Sequence, residues 1–240
     1  MSNLIIIGTY NEVDNIETII LRIFRHITDV DILVIDDNSP DLTFQRVQLL
    51  QERHKNLFAI QRKGKLGLGS AYKVGFSWGL NRNYTNIGHI DADLSHRVRD
   101  LAKLIQVKKT KPELGLVIGS RWVSGGKTLN WPLKRQLLSR FANLYVRIML
   151  RLPTNDTTAG FRLYDRKTLE SIDFESIKSE GYAFHIEMTK VVVGLGSTIM
   201  EVPIVFRERE SGVSKMSPKV VREAMFLVTV WGLKRVLRVK

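Results

Sequence analysis

Leu4-Ile5-Ile6-Ile7-Gly8-Thr9-Tyr10-Asn11-Glu12 opens the chain with four consecutive apolar residues that break at once into a polar loop. An apolar run without alternation is the pattern of a strand buried on both faces. From Asn15 to Ile27 the period changes, with Ile16, Ile19, Ile20, Ile23, Phe24 and Ile27 at helical spacing. The unit then recurs. Asp31–Ile35 reads as a second strand, ended by the turn and helix start Asp36-Asp37-Asn38-Ser39-Pro40-Asp41, with a helix from about Leu42 to Arg53. Leu57–Gln61 is a third strand, and the glycine loop Gly64-Lys65-Leu66-Gly67-Leu68-Gly69 leads into another helix. Ile87–Ile90 is a fourth strand, followed by Asp91-Ala92-Asp93. This order predicts an α/β fold: one Rossmann-like domain with a mostly parallel central sheet and helices on both faces. Ligands of such sheets bind outside the carboxyl ends of the strands. The polar clusters at 9–12, 36–39 and 91–95 each follow a strand and should gather on one edge.

The second half is less regular. Leu116–Ile118 reads as a strand ending in Gly119-Ser120-Arg121. Lys134 to Arg151 predicts a basic amphipathic helix with Leu137, Leu138, Phe141, Leu144, Tyr145, Ile148 and Met149 on one face. Ile199–Phe206 reads as a strand, and Pro203 within it argues for an edge or a bulge. Ser217-Pro218 has the form of a cap with proline at the first helical position, opening a helix that runs to the C-terminus. The expected division is one domain over 1–217 and a basic amphipathic helix over 218–240.

The 240 residues, 44% of them hydrophobic, suit one α/β domain. The absence of cysteine excludes disulfides, a thiol nucleophile and cysteine-held metal. A net charge of +13, concentrated in the second half, points to an anionic partner. The N-terminus has no signal-peptide pattern. The longest nearly uncharged run, Ala224–Leu233, is about half of the ~20 residues needed to span a bilayer, so the chain is expected to lie on a membrane rather than cross it.

Several clusters carry candidate chemistry. Asp91 and Asp93, one residue apart just past a buried strand, can share a hard divalent cation such as Mg²⁺ or Mn²⁺ that bridges diphosphate oxygens; the same tripeptide also reads as an ordinary acidic loop. Asp36-Asp37 reads as a helix cap or as a nucleoside-recognition site. The glycine loop can cradle phosphate through its amides, helped by Lys65, or serve as a flexible turn; it is neither a P-loop nor a dinucleotide fingerprint. Arg135 and Ser139 share a helix face and, with Arg121, suit phosphate. Arg207, Arg209 and Lys215 flank Gly212 in a polar segment that reads as a lid or a surface loop. His89 and His96 bracket the carboxylates, with packing or hydrogen-bonding roles expected.

Taken together, the strings resemble inverting glycosyltransferases of family 2, and within them the polyprenol-phosphate (dolichol-phosphate) mannose synthases. Those carrying the resemblance are Thr9–Glu12, Val34–Asp41, Lys65–Tyr72, Asp91–His96, Gly119–Arg121, Asn130–Pro132, Ser139-Arg140, Gly160–Arg162, Gly181–Phe184, Glu201–Ile204 and Gly212–Ser217, in family order. The resemblance implies a GT-A fold, with a nucleotide-binding half over about 1–96 and an acceptor-binding half over about 97–217. It implies that Tyr10, Glu12, Ile35 and Asp37, beside the backbone of Gly8, hold the guanosine of GDP-mannose. It assigns metal and diphosphate to Asp91 and Asp93, with Ala92 at the nucleotide and Ser95 near the metal. Arg121, Arg135 and Ser139 would hold the acceptor's phosphate, and Arg209 and Lys215 would close over the donor. Asp93, Arg121, Arg135 and Ser139 are thus the candidate catalytic residues. Three departures stand out: Gly8 replaces a usual Pro, Leu42 a usual Gly, and Arg97-Val98-Arg99 a segment with Pro and an acid, which would bring positive charge near the metal.

The implied acceptor is a polyprenyl or dolichyl phosphate lipid, so peripheral association with the cytoplasmic face of a membrane is expected. The Lys134–Arg151 helix and the C-terminal helix, with Met225, Phe226, Trp231, Lys234, Arg235, Arg238 and Lys240, are the candidates for docking; a small membrane-anchoring subunit is the other route. Rival readings are a UDP-glucose-type donor, a non-catalytic basic scaffold and a nucleic-acid-binding protein. No nucleic acid is expected, because no recognition motif is present and the carboxylates would repel phosphate.

Overall fold

The protein is described by a computed structural model covering residues 2–209 and 218–237. In chain order the elements are β1 Asn3–Thr9, α1 Val13–His26, β2 Val30–Asp36, α2 Thr43–Gln51, β3 Leu57–Gln61, α3 Leu68–Leu80, β4 Asn86–His89, α4 Val98–Thr110, β5 Leu116–Ser120, β6 Lys127–Leu129, α5 Leu133–Leu150, β7 Arg162–Asp165, α6 Arg166–Glu170, α7 Gly181–Gly194, β8 Ile199–Pro203, β9 Val205–Arg207 and α8 Pro218–Val236. Seven strands form one sheet in the order β3-β2-β1-β4-β7-β5-β8. All neighbours are parallel except β7, which runs antiparallel to both β4 and β5.

The apolar run of β1 is explained by its two covered faces. Ile5 and Ile7 face one core, with Ile16, Ile19, Ile20 and Ile23 of α1 and Leu101 and Leu104 of α4. Leu4 and Ile6 face the other, with Tyr72 and Phe76 of α3 and Phe184 and Met188 of α7. The period of two along the strand sends alternate residues into separate layers, so both must be apolar.

The predicted Ile199–Phe206 strand is divided. β8 is the sheet's edge strand and ends at Pro203; after Ile204, β9 pairs with β6 in a separate two-stranded sheet. Proline tolerates the edge because no neighbour needs its missing N–H. The predicted cap at Ser217, with Gly212 and Lys215, lies outside the described residues.

Leu42 sits in the left-handed region at φ 69° just before α2, with its side chain 61% exposed. That conformation explains why glycine is customary there. We expect Leu42→Gly to stabilise the fold by about 0.5–1 kcal/mol, the relief of left-handed strain less the added freedom of the unfolded chain. The midpoint of urea unfolding checks this.

The apolar arc of α5 splits in two. Tyr145 and Met149 pack around the small cluster of Val146, Leu150, Ile186 and Val228 that joins α5, α7 and α8. Leu133, Leu137, Phe141, Leu144 and Ile148 are instead exposed, Phe141 by 65%. The face predicted to be shared therefore exists, but half of it covers nothing.

Candidate functional site

The carboxyl ends of β1 and β2 are joined by side chains reaching between their loops. Ser39 Oγ accepts the Asn11 N–H at 3.0 Å, Thr43 Oγ1 the Glu12 N–H at 3.0 Å, and Asp41 the Val13 N–H at 3.1 Å. Asn11 and Asn38 turn these loops at positive φ, a conformation asparagine tolerates. Asp36 is fully buried and accepts from Thr9 and Ser39, so of the two neighbouring carboxylates only Asp37 reaches the cleft.

The cleft, about 410 Å³, is lined by Gly8, Tyr10, Glu12 and Asp37 on the β1–β2 side and by Asp91, Ala92 and Asp93 from the end of β4. Lys65 lies over the Tyr10 ring, 4.2 Å from its centroid, and Arg209 completes the rim. Ile35 is not among the lining residues. It is fully buried against α3, with Cδ1 about 3.0 Å from where a Gly75 side chain would begin.

The glycine loop is not a free phosphate cradle. Its Leu66 and Gly67 N–H groups donate to Asp37 Oδ2, both at 3.1 Å, while Arg62 pairs with Oδ1. The next two amides, Gly69 and Ser70, donate to Glu180 at 2.8 and 3.0 Å. Two protein carboxylates thus take the amides that phosphate would use. Burial pushes the Glu180 carboxyl up, and the Gly69 and Ser70 amides oppose it in part. Glu180, Tyr182, His185, Thr158 and Gly160 also line the cleft, and no role was assigned to them from sequence.

From the carboxylates the cleft continues into a narrower passage lined by Asp91, Asp93, Ser95, Arg121, Arg135 and Arg209. Arg121 and Arg135 also line a third segment with Ser139, Leu138, Ala142, Val146, Ile186, Ala224 and Met225. One groove therefore joins the acidic pair, the guanidiniums and an apolar slot between α5 and α8. Arg209 pairs with Asp93 Oδ2 at 3.0 Å, and Arg135 pairs with Glu208. Lys215 lies outside the described residues.

Arg121 is held rigidly. Its backbone N–H, Nε and Nη2 all reach the fully buried Asp156 carboxylate, at 2.9, 2.8 and 2.6 Å, and Nη2 also reaches Thr158. Burial works against its charge, but Asp156 more than offsets this and raises its pKa. Glu201 in turn accepts the Asn155 and Asp156 N–H groups at 2.7 and 2.9 Å. Sequence reasoning missed Asp156; its only signal was a polar run, Asn155–Thr158, after an amphipathic helix.

The expectation of positive charge at Arg97 and Arg99 near the acidic pair is corrected. Arg97 turns back to Asp100 at 2.9 Å, Arg99 is exposed, and neither lines the groove. Asp100 outcompetes the more distant carboxylates because it is three residues away on the same helical turn.

Asp91, Asp93 and Ser95 offer hard oxygen donors. No three of His, Cys, Asp and Glu converge among the described residues. That set is too small for a closed protein cage but fits a cation that keeps water and substrate phosphates in its shell.

His89, His96 and His185 are buried around this site. Burial pushes His96 down to about 4 and holds His89 and His185 well below the ordinary 6.5, with Arg162 adding to the effect on the latter two. His89 Nδ1 lies 2.9 Å from the Gly160 carbonyl and its ring stacks on Tyr72. Below pH 6.5 the unfolded chain takes up protons that the native state refuses, so stability falls as pH falls. For His96 we expect a loss of about 2 kcal/mol between neutral pH and about pH 5, with His89 and His185 losing stability in the same direction. His89→Gln should remove one histidine's share of that slope, as read from urea midpoints across the range.

A sequence-family model for glycosyl transferase family 2 matches residues 4–173. Polyprenol monophosphomannose synthase of Mycolicibacterium smegmatis is 44% identical over 232 residues, covering 96% of this chain and 87% of that protein. Undecaprenyl-phosphate mannosyltransferase of Micrococcus luteus is 44% identical over 233 residues, covering 97% and 95%. Among solved structures, glucosyl-3-phosphoglycerate synthase of Mycobacterium tuberculosis with Mn²⁺ and UDP superposes with a TM-score of 0.67 at 18% identity, covering 98% of this chain and 79% of that one. A mannosyltransferase of Pyrobaculum calidifontis with GDP-Man and Mn²⁺ gives 0.64 at 16%, covering 99% and 64%. At such identities these two structures speak for the fold alone, which is GT-A. With the family model spanning well over half the chain and relatives aligned along nearly all of it, the chain belongs to glycosyl transferase family 2 and is a glycosyltransferase.

Proposed function

We propose that the protein is an inverting hexosyltransferase that moves mannose from GDP-mannose to a polyprenyl phosphate. The observation that carries this reading is the single groove running from two carboxylates, past paired guanidiniums, into an apolar slot. A nucleoside diphosphate, a phosphate and a hydrocarbon chain need those surfaces in that order. The M. smegmatis and M. luteus relatives bear names that specify polyprenol or undecaprenyl-phosphate mannosyl transfer, which supports the choice of sugar and acceptor.

In this reading Tyr10, Glu12, Asp37 and the Gly8 backbone hold the guanosine. Asp91 and Asp93, with Ser95 beside them and Ala92 at the nucleotide, hold Mg²⁺ or Mn²⁺. When bound, the cation neutralises charge left on the departing GDP. Arg209 and Lys215 close over the donor diphosphate. Arg121, Arg135 and Ser139 grip the acceptor phosphate, Arg135 exchanging Glu208 for it. A phosphate oxygen attacks the anomeric carbon as the bond from that carbon to the GDP oxygen breaks, giving a β-linked mannosyl phosphate from an α-linked donor. The nucleophile is already an anion, so no general base is required; the arginines orient it and screen its charge.

The acceptor is a membrane lipid, and no helix among the described residues is long and apolar enough to cross a bilayer. The exposed ridge of α5 therefore serves as the docking face of a peripheral enzyme on the cytoplasmic side. The test is transfer of radiolabelled mannose from GDP-mannose to a polyprenyl phosphate, with and without Mn²⁺, with UDP-glucose as competing donor. Metal-dependent mannosyl product supports the reading. Product only from the UDP-sugar, or none from either donor, sinks it.

A further inference from the structure

Beside the acceptor slot on α5, and sharing Asn143 with it, lies a second basic pocket that the transfer chemistry does not use. It is lined by Trp122, Arg140, Asn143, Leu144, Arg147 and Asn155. Arg140 and Arg147 are seven residues apart and so share one face of the helix. The Arg140 guanidinium lies 4.6 Å from the Trp122 ring centroid, and Arg147 Nη1 donates to Asn155 Oδ1 at 2.8 Å. Trp122 Nε1 is a buried donor without a hydrogen-bond partner. Neither guanidinium has a carboxylate partner among the described residues.

The pocket abuts the exposed apolar ridge, and Leu144 belongs to both. Two unneutralised guanidiniums ask for a phosphate. A strip of leucine, phenylalanine and isoleucine beside them asks for hydrocarbon. A soluble polyanion meets only the first demand and would leave the ridge in water. An anionic phospholipid meets both, with its phosphate and acyl chains in the same order.

We propose that Arg140, Arg147 and Trp122 clamp the headgroup phosphate of an anionic membrane phospholipid while the Leu133–Ile148 ridge enters the acyl boundary. This rests on the membrane-lipid acceptor proposed above. On α5 the clamp shares Leu144 with the ridge and Asn143 with the acceptor slot. Fixing the headgroup there therefore sets the roll of the helix and turns the slot toward the bilayer.

The test is flotation with phosphatidylcholine vesicles, with and without phosphatidylglycerol, in the absence of any sugar donor. The readout does not depend on transfer, so it can fail or succeed separately from the proposed reaction. Each arginine should be worth about fivefold in vesicle affinity, so Arg140→Gln with Arg147→Gln should lose about thirtyfold. The urea midpoint of the variant should be unchanged, which shows that it folds. Arg140→Lys with Arg147→Lys keeps the charge but loses the planar stacking and fork, and should bind more weakly than wild type. Wild-type binding by the lysine variant would reduce the effect to diffuse charge and overturn the clamp. Equal binding to vesicles with and without phosphatidylglycerol, or release from vesicles by soluble glycerol phosphate, would overturn it as well.

Discussion

Asp93→Asn should leave a folded protein whose transfer rate falls by about a thousandfold or more, a barrier increase of roughly 4 kcal/mol. Asp93 Oδ1 accepts the Ser95 N–H at 3.1 Å, and an asparagine oxygen can keep that bond. Oδ2 faces Arg209 at 3.0 Å across a partly exposed gap, so the lost ion pair should cost under about 1 kcal/mol of stability. What the substitution removes is one of the two negative charges that Asp91 and Asp93 together offer a divalent cation. The deficit should persist at saturating Mn²⁺, while the urea midpoint barely moves. A residual rate within about tenfold of wild type, at any metal concentration, would mean that this carboxylate is not part of the reaction.

Asp156→Ala should act in the opposite way, through the fold first. It strands the buried Arg121 guanidinium, which loses its Nε and Nη2 bonds to the carboxylate, and the Arg121 backbone N–H loses its acceptor as well. Breaking a buried pair from one side costs about 3–5 kcal/mol, a large part of a domain's whole stability. Replacing both members, Arg121→Met with Asp156→Leu, should recover much of that stability, because no uncompensated charge remains. It should recover no transfer, because the acceptor phosphate has lost its anchor. Urea unfolding and the acceptor KM of the single and double variants separate the two effects. A double variant that transfers normally would exclude Arg121 from acceptor binding.

The strands β1 to β4 and the loops that end them were legible because each is local. An apolar run is followed within a few residues by a polar cluster, and the parallel topology brings those clusters to one edge. β7 was not legible. It is four residues long, begins with the wholly buried Arg162, and slots antiparallel between β4 and β5. Nothing local marks it, since Arg162 is satisfied by the Ala159 and Thr157 carbonyls and Thr189. α7 was equally hidden. Residues 183–189 are buried without a break, so the helix has no polar face to give it a period. α4 turns Asp100 and Lys108 inward with its leucines, which blurs its stripe.

The sequence by itself determined the fold class and the edge on which the strand-end loops meet, with Tyr10, Glu12, Asp37, Asp91 and Asp93 at the cleft there, because buried strands and turn residues encode those features within short windows. Tertiary structure alone decided which charges stay available. It assigned Asp37 and Glu180 to the glycine loop, Asp156 to Arg121 and Asp100 to Arg97, and it left half the apolar face of α5 bare. A carboxylate's partner is whichever donor the fold brings within about 3 Å, and that donor can lie anywhere along the chain.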